Sequence, residues 1–500
     1  MIGDLKRAAQ TSAIYAIGNL LVKVAGLILI PIYLGSLTPA EYGELVILEV
    51  LAQLCIGVIS FNLPVAFLRF GSETTDRRER GSLYFTALVL LWGICGIFLM
   101  LSLPVAPWLA GALLESEQGG LFLTLLFLDV AIEVPGLLPL QWLRLRERPG
   151  AYMAFFVLKV VGMLGFVVYF VAYRQMGVMG AMWGILCGNA LLLLATLPVQ
   201  WRVAVAKFHR EGAARMLRYG TPLILTTISV VLLTTADRYI LLHYRGSSEV
   251  GFYGLAFKLG SLINLLLINS FMLGFSPIAF RKYGESGFSR FFTKMQVYFL
   301  GVAVVLTLGI SVFSLECIEL LQPEGGDYAM AAALVPVIAF TFLFKALQYF
   351  MSLVFHLTKR TRYDAVITTA GVLLNIGVNF LLIPRFGMYG AAIGTGVSFM
   401  AMVTLSHHYA QRQHRMPYEY RRLVLLIATC ALWMGAAQWL NAMDVLFRIA
   451  AKISLLALYA ALLYYVIADQ AERAKVSKVY ALLRGPGGVK AVMREVFHFR

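Results

Sequence analysis

The sequence predicts an all-α membrane protein of about fourteen transmembrane helices, arranged as two parallel six-helix repeats followed by two further helices. Three observations carry this: an apolar composition, an alternation of Lys and Arg between successive loops, and internal matches at one nearly constant spacing. Of the 500 residues 60% are hydrophobic and only 14% are charged, against about 25% in soluble domains; mean hydropathy is +0.79. No polar stretch is long enough for a separate soluble domain. The net charge of +16 therefore has no basic soluble face on which nucleic acid could lie, and topology must account for it.

A span needs about 20 mostly apolar residues, and it must be helical because unpaired amides cannot face lipid. The first, 11–34, follows Lys6 and Arg7 and runs into Pro31 and Tyr33 without a small-residue cleavage site, so it reads as an uncleaved span. Segments 41–66 and 82–106 flank the cluster Arg77, Arg78 and Arg80. After the loop from Ala106 to Gly119 come 120–141, the cluster Arg144, Arg146 and Arg148, and the pair 151–173 and 178–200, which turns at Arg174. Next are 219–243 and 250–277, then 296–320 and 329–356, which leads to Lys359, Arg360 and Arg362. The pair 364–384 and 387–409 turns at Arg385, and 423–440 and 446–468 complete the set.

The N-terminus, the loops after even-numbered spans and the tail hold 32 of the 42 Lys and Arg. Loops after odd-numbered spans carry only Arg174, Arg245 and Arg385. By the positive-inside rule both termini are expected in the cytoplasm. The tail 469–500 is basic and partly amphipathic, which suits either an anionic membrane surface or a solvated terminus.

Tyr33, Gly35, Ser36, Tyr42 and Gly43 recur as Tyr244, Gly246, Ser247, Tyr253 and Gly254, an offset of 211. Phe170, Gly177, Gly180, Ala181 and Gly184 recur as Phe380, Gly387, Gly390, Ala391 and Gly394, an offset of 210. Pro64, Ala66 and Phe67 match Pro277, Ala279 and Phe280 at 213. The offset contains six spans, an even number, so the halves are parallel and a cleft is expected between them. The expected division is 1–210 and 211–415 for the two six-helix bundles, 416–468 for the extra helices and 469–500 for the tail. Small residues four apart, as at Gly180, Gly184 and Gly188, are read as helix-packing positions, since a phosphate-cradling loop requires a preceding strand. The five cysteines, Cys55, Cys95, Cys187, Cys317 and Cys430, lie in apolar runs and suggest neither a disulfide framework nor a zinc site.

The stretches "AIYAIGNLLVKVAGLILIPIYLG…EYGEL", "ADRYIL…VGFYGLAFKL" and "NFLLIPRFGMYGAAIGTGVS", taken in order, resemble the bacterial polysaccharide-transporter family. That family contains the O-antigen and exopolysaccharide flippases and shares a superfamily with multidrug and toxic compound extrusion (MATE) transporters and the peptidoglycan-precursor flippase. The resemblance implies a MATE-like fold. It also implies a cargo, an oligosaccharide linked through pyrophosphate to undecaprenol, moved from the cytoplasmic to the periplasmic leaflet for surface polysaccharides such as lipopolysaccharide. A polysaccharide polymerase is then an expected partner.

Charges inside spans are costly, by about 2.5 kcal/mol or more each, and so mark candidate functional positions. Lys23, Lys159, Lys258, Lys345 and Arg238 are such cations; Glu49, Asp129, Glu133 and Asp237 are the carboxylates. The cations are expected to line the cleft, where Arg supplies paired hydrogen bonds and Lys a point charge to a pyrophosphate; each could equally be a snorkelling or structural residue. Asp237 and Arg238 are adjacent and point about 100° apart on a helix, so they are not expected to pair with each other. Depth along the 219–243 and 250–277 hairpin suggests that Asp237 neutralises Lys258, leaving Arg238 facing the cleft; the alternative is that these charges only lock the hairpin. Asp129 and Glu133 share one helix face and could couple transport to protons, or each could pair with a neighbouring Lys. No GxxxxGK[ST] motif and no metal-ligand spacing occurs, so neither ATP nor a cofactor is expected. Competing readings are a cation-coupled multidrug exporter and, third, a membrane glycosyltransferase or polymerase. A cationic cleft argues against the former and the absence of a large outer loop against the latter.

Overall fold

The computed structural model describes residues 25–322 and 328–467, and their regular structure is helical throughout. Helix α1 (Ala25–Ser36) is the described part of the first expected span. Thr38 then starts α2 (Pro39–Ile59) with a capping box, its N–H donating to the Glu41 carboxylate at 2.8 Å, and Pro39 fits the first turn because it has no N–H to leave unpaired. Left-handed Phe61 and Asn62 (φ 45° and 49°) break the expected span 41–66 and begin α3 (Leu63–Glu73). The Asp76 carboxylate accepts from the first amides of α4 (Arg77–Ser102). The loop between the third and fourth spans folds into a short helix, α5 (Ala106–Leu113). Then follow α6 (Gly119–Leu145), α7 (Pro149–Val167) with a π-helical end at Val168–Tyr173, and α8 (Gly177–Val203).

The second half consists of α9 (Arg210–Arg245), α10 (Ser247–Gly260), a π-helical link at Asn264–Ile268, α11 (Asn269–Lys282), α12 (Phe288–Val312), α13 (Ser314–Leu321), α14 (Ala329–Leu357) and α15 (Arg362–Gln413). The two further helices are α16 (Tyr420–Trp439) and α17 (Val445–Ile467).

Among the described residues eleven helices are long and apolar enough to cross a membrane, twelve if α9, bent by 56° between Leu232 and Thr234, counts as one. The difference from fourteen has two sources. The first expected span falls largely outside the described residues, and the expected spans 364–384 and 387–409 are counted together as α15, two helices that meet at a kink at Gly387 (φ 55°, ψ −134°). That backbone is open to glycine and strained for other residues. Its sequence counterpart Gly177 has φ 60°. Each lies beside a carboxylate: Glu249 accepts the Met388 N–H at 2.8 Å, and a Glu41 oxygen is 3.4 Å from where a Cβ on Gly177 would sit.

The small residues of α8 pack as the sequence predicts. A Cβ at Gly180 would meet the Phe170 carbonyl at 2.8 Å and one at Gly188 the Met163 backbone at 2.8 Å, so α7 and α8 are as close as backbones allow. In the second half the core is aromatic, with Phe271, Phe275, Phe292, Phe299 and Phe350 in mutual ring contact. The five cysteines are unbridged.

Helix α16 packs on α12 and α14 and α17 on α12, and they add polar bonds that the sequence reading passed over. Lys452, fully buried, reaches Glu316 of α13 at 2.6 Å, and Arg448 reaches Glu316 at 2.8 Å and also Glu319. Arg448 and Lys452 are four apart, so they share one face of α17. Together they tie the last helix to the second half through ionic bonds in a largely buried setting.

Candidate functional site

A cavity of about 220 Å³ lies where α2 of the first half meets α9 and α10 of the second. Its polar lining is Glu49, Gln53, Thr234, Thr235, Arg238 and Lys258, with Phe257 as an aromatic wall. Glu49 stands seven residues after Tyr42, two turns along the same face of α2. Both meet Lys258: its ammonium is 3.1 Å from the Glu49 carboxylate and 5.3 Å from the centre of the Tyr42 ring. The pair spans the boundary between the halves.

Arg238 is buried, 7% exposed. Its guanidinium lies 4.7 Å from the Phe257 ring centre, a cation–π distance, and one terminal N–H donates to the Thr234 carbonyl at 2.7 Å. Its Nε–H meets no acceptor among the described residues. Asp237 is turned away from the cavity, where it accepts from the Tyr253 hydroxyl and, at 2.9 Å, from the Arg238 backbone N–H. The lining thus carries two cations against one carboxylate, and Arg238 is the cation that Glu49 does not neutralise.

Two expectations are corrected. Asp237 does not neutralise Lys258; Glu49 does. Similar depth in a hairpin does not make side chains face each other, and Tyr253 occupies the face of α10 toward Asp237. Lys258 is five residues on, about 140° around the helix, and so points at α2. Asp237 and Arg238 also come closer than adjacent helical positions imply, 3.8 Å between Oδ1 and Nη1, because the long guanidinium arm folds back along α9. That is too long for a hydrogen bond. Exchanging the charges, Glu49→Lys with Lys258→Glu, is expected to recover the yield of monodisperse protein lost in either single reversal; a double variant no better than the singles would dissociate the two residues.

The other predicted positions lie elsewhere. Asp129, Glu133 and Lys159 gather inside the first half between α6, α7 and α8. Lys159 binds Glu133 at 2.9 Å, and the Asn189 amide donates to Asp129 at 2.8 Å and to Glu133 at 3.2 Å. Asn189 was not singled out from sequence, since a lone amide in an apolar run carries no spacing signal. Lys345 lies 5.4 Å from the Phe342 ring and 5.6 Å from the Phe399 ring, between α14 and α15. Lys23 lies outside the described residues. Among the described residues no group of three or more His, Cys, Asp or Glu is placed to hold a metal ion.

Beyond the cavity, toward the arginine-poor end, the halves lock together. Gly43 of α2 lies against the Ser247 carbonyl, and Gly251 of α10 lies against the Pro39 carbonyl, a crossing with no room for side chains. The Glu44 carboxylate accepts the N–H groups of Glu115 and Ser116 at 2.9 and 2.7 Å, while Glu115 accepts that of Ser247 at 3.0 Å. The short connection after the third span is thereby strapped across both halves. Tyr328 donates to the Leu37 carbonyl at 3.0 Å. Toward the basic end α11 packs on α14, and α9 crosses to the first half, where it packs on α3 and α4 with Gly220 against the Phe61 carbonyl.

The family model for the polysaccharide biosynthesis protein matches residues 8–283, and the MatE model matches residues 222–381. No curated protein matches the chain. Among solved structures the chain is similar to the lipid II flippase MurJ in an inward closed conformation, at 13% identity over 90% of this chain and 98% of that one, with a TM-score of 0.70. It is similar to an inward-facing multidrug resistance MATE family transporter of the MOP superfamily, at 14% identity over 81% and 96%, TM-score 0.64. A MOP superfamily transporter from Pyrococcus furiosus whose binding pocket has reverse polarity is also similar, at 16% identity over 83% and 96%, TM-score 0.54. At these identities the structures speak for the fold, that of multi-pass membrane transporters, while the family model covers more than half of the 500 residues: the chain belongs to the polysaccharide biosynthesis protein family.

Proposed function

We propose that this protein is a flippase of the bacterial cytoplasmic membrane that carries a polyprenyl-pyrophosphate-linked oligosaccharide from the cytoplasmic to the periplasmic leaflet. The observation that carries this reading is the cavity between the halves, where Arg238 keeps donors beyond those its protein partners use and Lys258 stands beside it. A pyrophosphate needs such donors to leave water, while its lipid tail can stay in the bilayer. The cavity is too small for an oligosaccharide, so it is the anchoring point for the phosphates within a larger path that opens as the halves rock. The locked arginine-poor end suits a state sealed toward the periplasm, with both termini in the cytoplasm.

The same reading takes the chain as fourteen spans in two repeats, 1–210 and 211–415, with 416–468 as an appendage. The shared left-handed glycines Gly177 and Gly387, each beside a carboxylate from another hairpin of its half, support it. Lys23, Lys159 and Lys345 are assigned to the walls of the path, Lys23 by sequence alone. A surface glycan such as O-antigen or exopolysaccharide is the product served, with a polymerase as the consuming partner.

Vesicles holding the purified protein and a fluorescent undecaprenyl-pyrophosphate oligosaccharide test this directly. Protein-dependent exposure of the sugar to an external lectin or quencher supports the reading; no acceleration over empty vesicles overturns it.

A second reading, cation-coupled export, draws on Asp129 and Glu133. Glu133 is bound by Lys159, whereas among the described residues Asp129 has only an amide partner, Asn189. A buried carboxylate held only by an amide is better suited to exchange a cation than one in an ion pair. If coupling runs through it, Asp129→Asn with Glu133→Gln abolishes the response of transport to an imposed pH gradient; wild-type rate and response in that variant remove the idea.

A further inference from the structure

We propose that the protein holds the phosphate of an anionic membrane phospholipid in a basic depression where α15 ends and α16 begins, remote from the cavity between the halves. The depression measures about 790 Å³ and is lined by Thr404, His407, His408, Gln411, Arg412 and Arg415, with no carboxylate in its wall. Among the described residues neither Arg412 nor Arg415 enters an ion pair, so two guanidinium groups face one open space with their charge uncompensated by protein.

The frame around them is fixed by hydrogen bonds. The Gln411 amide closes the loop after α15, donating to the Met416 carbonyl at 2.8 Å and accepting the Met416 N–H at 3.0 Å. His407 Nε2 meets the Tyr420 hydroxyl at 3.1 Å, and Gln413 accepts from Thr358 at the end of α14 at 2.8 Å. A frame held this way loses little further freedom when a ligand arrives.

Position selects the ligand. Thr404 lies inside the apolar helix while Arg412 and Arg415 stand at its basic end, so the depression crosses the boundary between hydrocarbon and water. Leu405 of α15 and Leu425 of α16 are 39% and 42% exposed, and Tyr420 is 53% exposed, leaving apolar surface for acyl chains and an aromatic ring at headgroup depth. Basic pockets between transmembrane helices on the cytoplasmic side receive acidic headgroups, and arginine matches phosphate oxygens in pairs. The orientation rests on the topology proposed above; the site itself does not depend on the cargo.

Native mass spectrometry of the full chain in detergent tests this with cardiolipin, phosphatidylglycerol, phosphatidylcholine and undecaprenyl phosphate as probes. Wild type is expected to retain the two anionic phospholipids about fivefold or more above phosphatidylcholine, and Arg412→Gln with Arg415→Gln to remove that preference. The exposed pair Arg77 and Arg78 at the start of α4 serves as the control, and Arg77→Gln with Arg78→Gln leaves the preference in place. Undiminished retention in the Arg412/Arg415 variant, equal loss in both variants, or retention of undecaprenyl phosphate without either phospholipid would overturn the assignment. The residues are exposed, so the variants fold, and transport in the vesicle assay checks this separately.

Discussion

Arg238→Gln is expected to slow transport of a polyprenyl-pyrophosphate oligosaccharide by on the order of tenfold or more, because a hydrogen bond to a charged group contributes about 1.5–3 kcal/mol. Glutamine keeps a hydrogen-bonding amide but loses the charge and the planar fork. Arg238 also sits on Phe257 and beside Asp237, so a structural role must be separated from a binding one. Arg238→Lys provides the separation. It preserves the charge near Asp237 and should keep thermal stability close to wild type, while transport falls because a point charge cannot bind two phosphate oxygens in one plane. If lysine and glutamine variants both transport at the wild-type rate, the guanidinium is not the phosphate ligand. If both lose stability and transport together, Arg238 is a packing residue.

Glu316→Ala is expected to be the most destabilising single change in the second half. Glu316 accepts hydrogen bonds from Lys452 and forms an ion pair with Arg448, and these two side chains are 0% and 6% exposed. Its removal strands two cations, although Arg448 keeps Glu319, whose side chain is 49% exposed. Breaking a buried pair by removing one partner costs about 3–5 kcal/mol, a drop in unfolding temperature of several degrees, readable in detergent from labelling of the buried thiol Cys430, which lies in the same packing unit as α17. Replacing all three members together, Glu316→Leu, Arg448→Met and Lys452→Met, should recover much of that loss, because no buried charge is then left without a partner and Glu319, 49% exposed, is left to water. A triple variant as unstable as Glu316→Ala would mean that the charges are stabilising in their own right. The network ties α17 to α13, so under the proposed rocking of the halves the last helix is expected to move with the second.

Much of the fold was legible because membrane insertion leaves few choices. Hydrocarbon demands helix wherever twenty apolar residues run together, and loop charge follows from the cost of moving Lys and Arg across. The breaks were less legible. The interruption of the expected span 41–66 at Phe61 and Asn62 was overlooked, although Asn62 tolerates left-handed backbone and Pro64 suits the first turn of a new helix. The bend of α9 between Leu232 and Thr234 and the π-helical segments were silent, as neither depends on a special residue type. Gly387 is the contrary case, where the residue does mark the break.

For the candidate site the boundary falls between identity and pairing. The positions that matter were visible one residue at a time, because a charge inside an apolar run is expensive and stands out. Asn189 did not stand out, being ordinary in such helices; Tyr42 and Tyr253 were marked only as repeat positions, and Arg448 and Lys452 were passed over although they too are charges in an apolar run. Which charge meets which was decided by tertiary structure alone: Lys258 crosses to Glu49, Asp237 turns to Tyr253, and Lys159 closes on Glu133. The physical reason is that burial cost depends on residue type, which a sequence states, while relief of that cost depends on helix rotation and contact between distant segments, which only packing fixes.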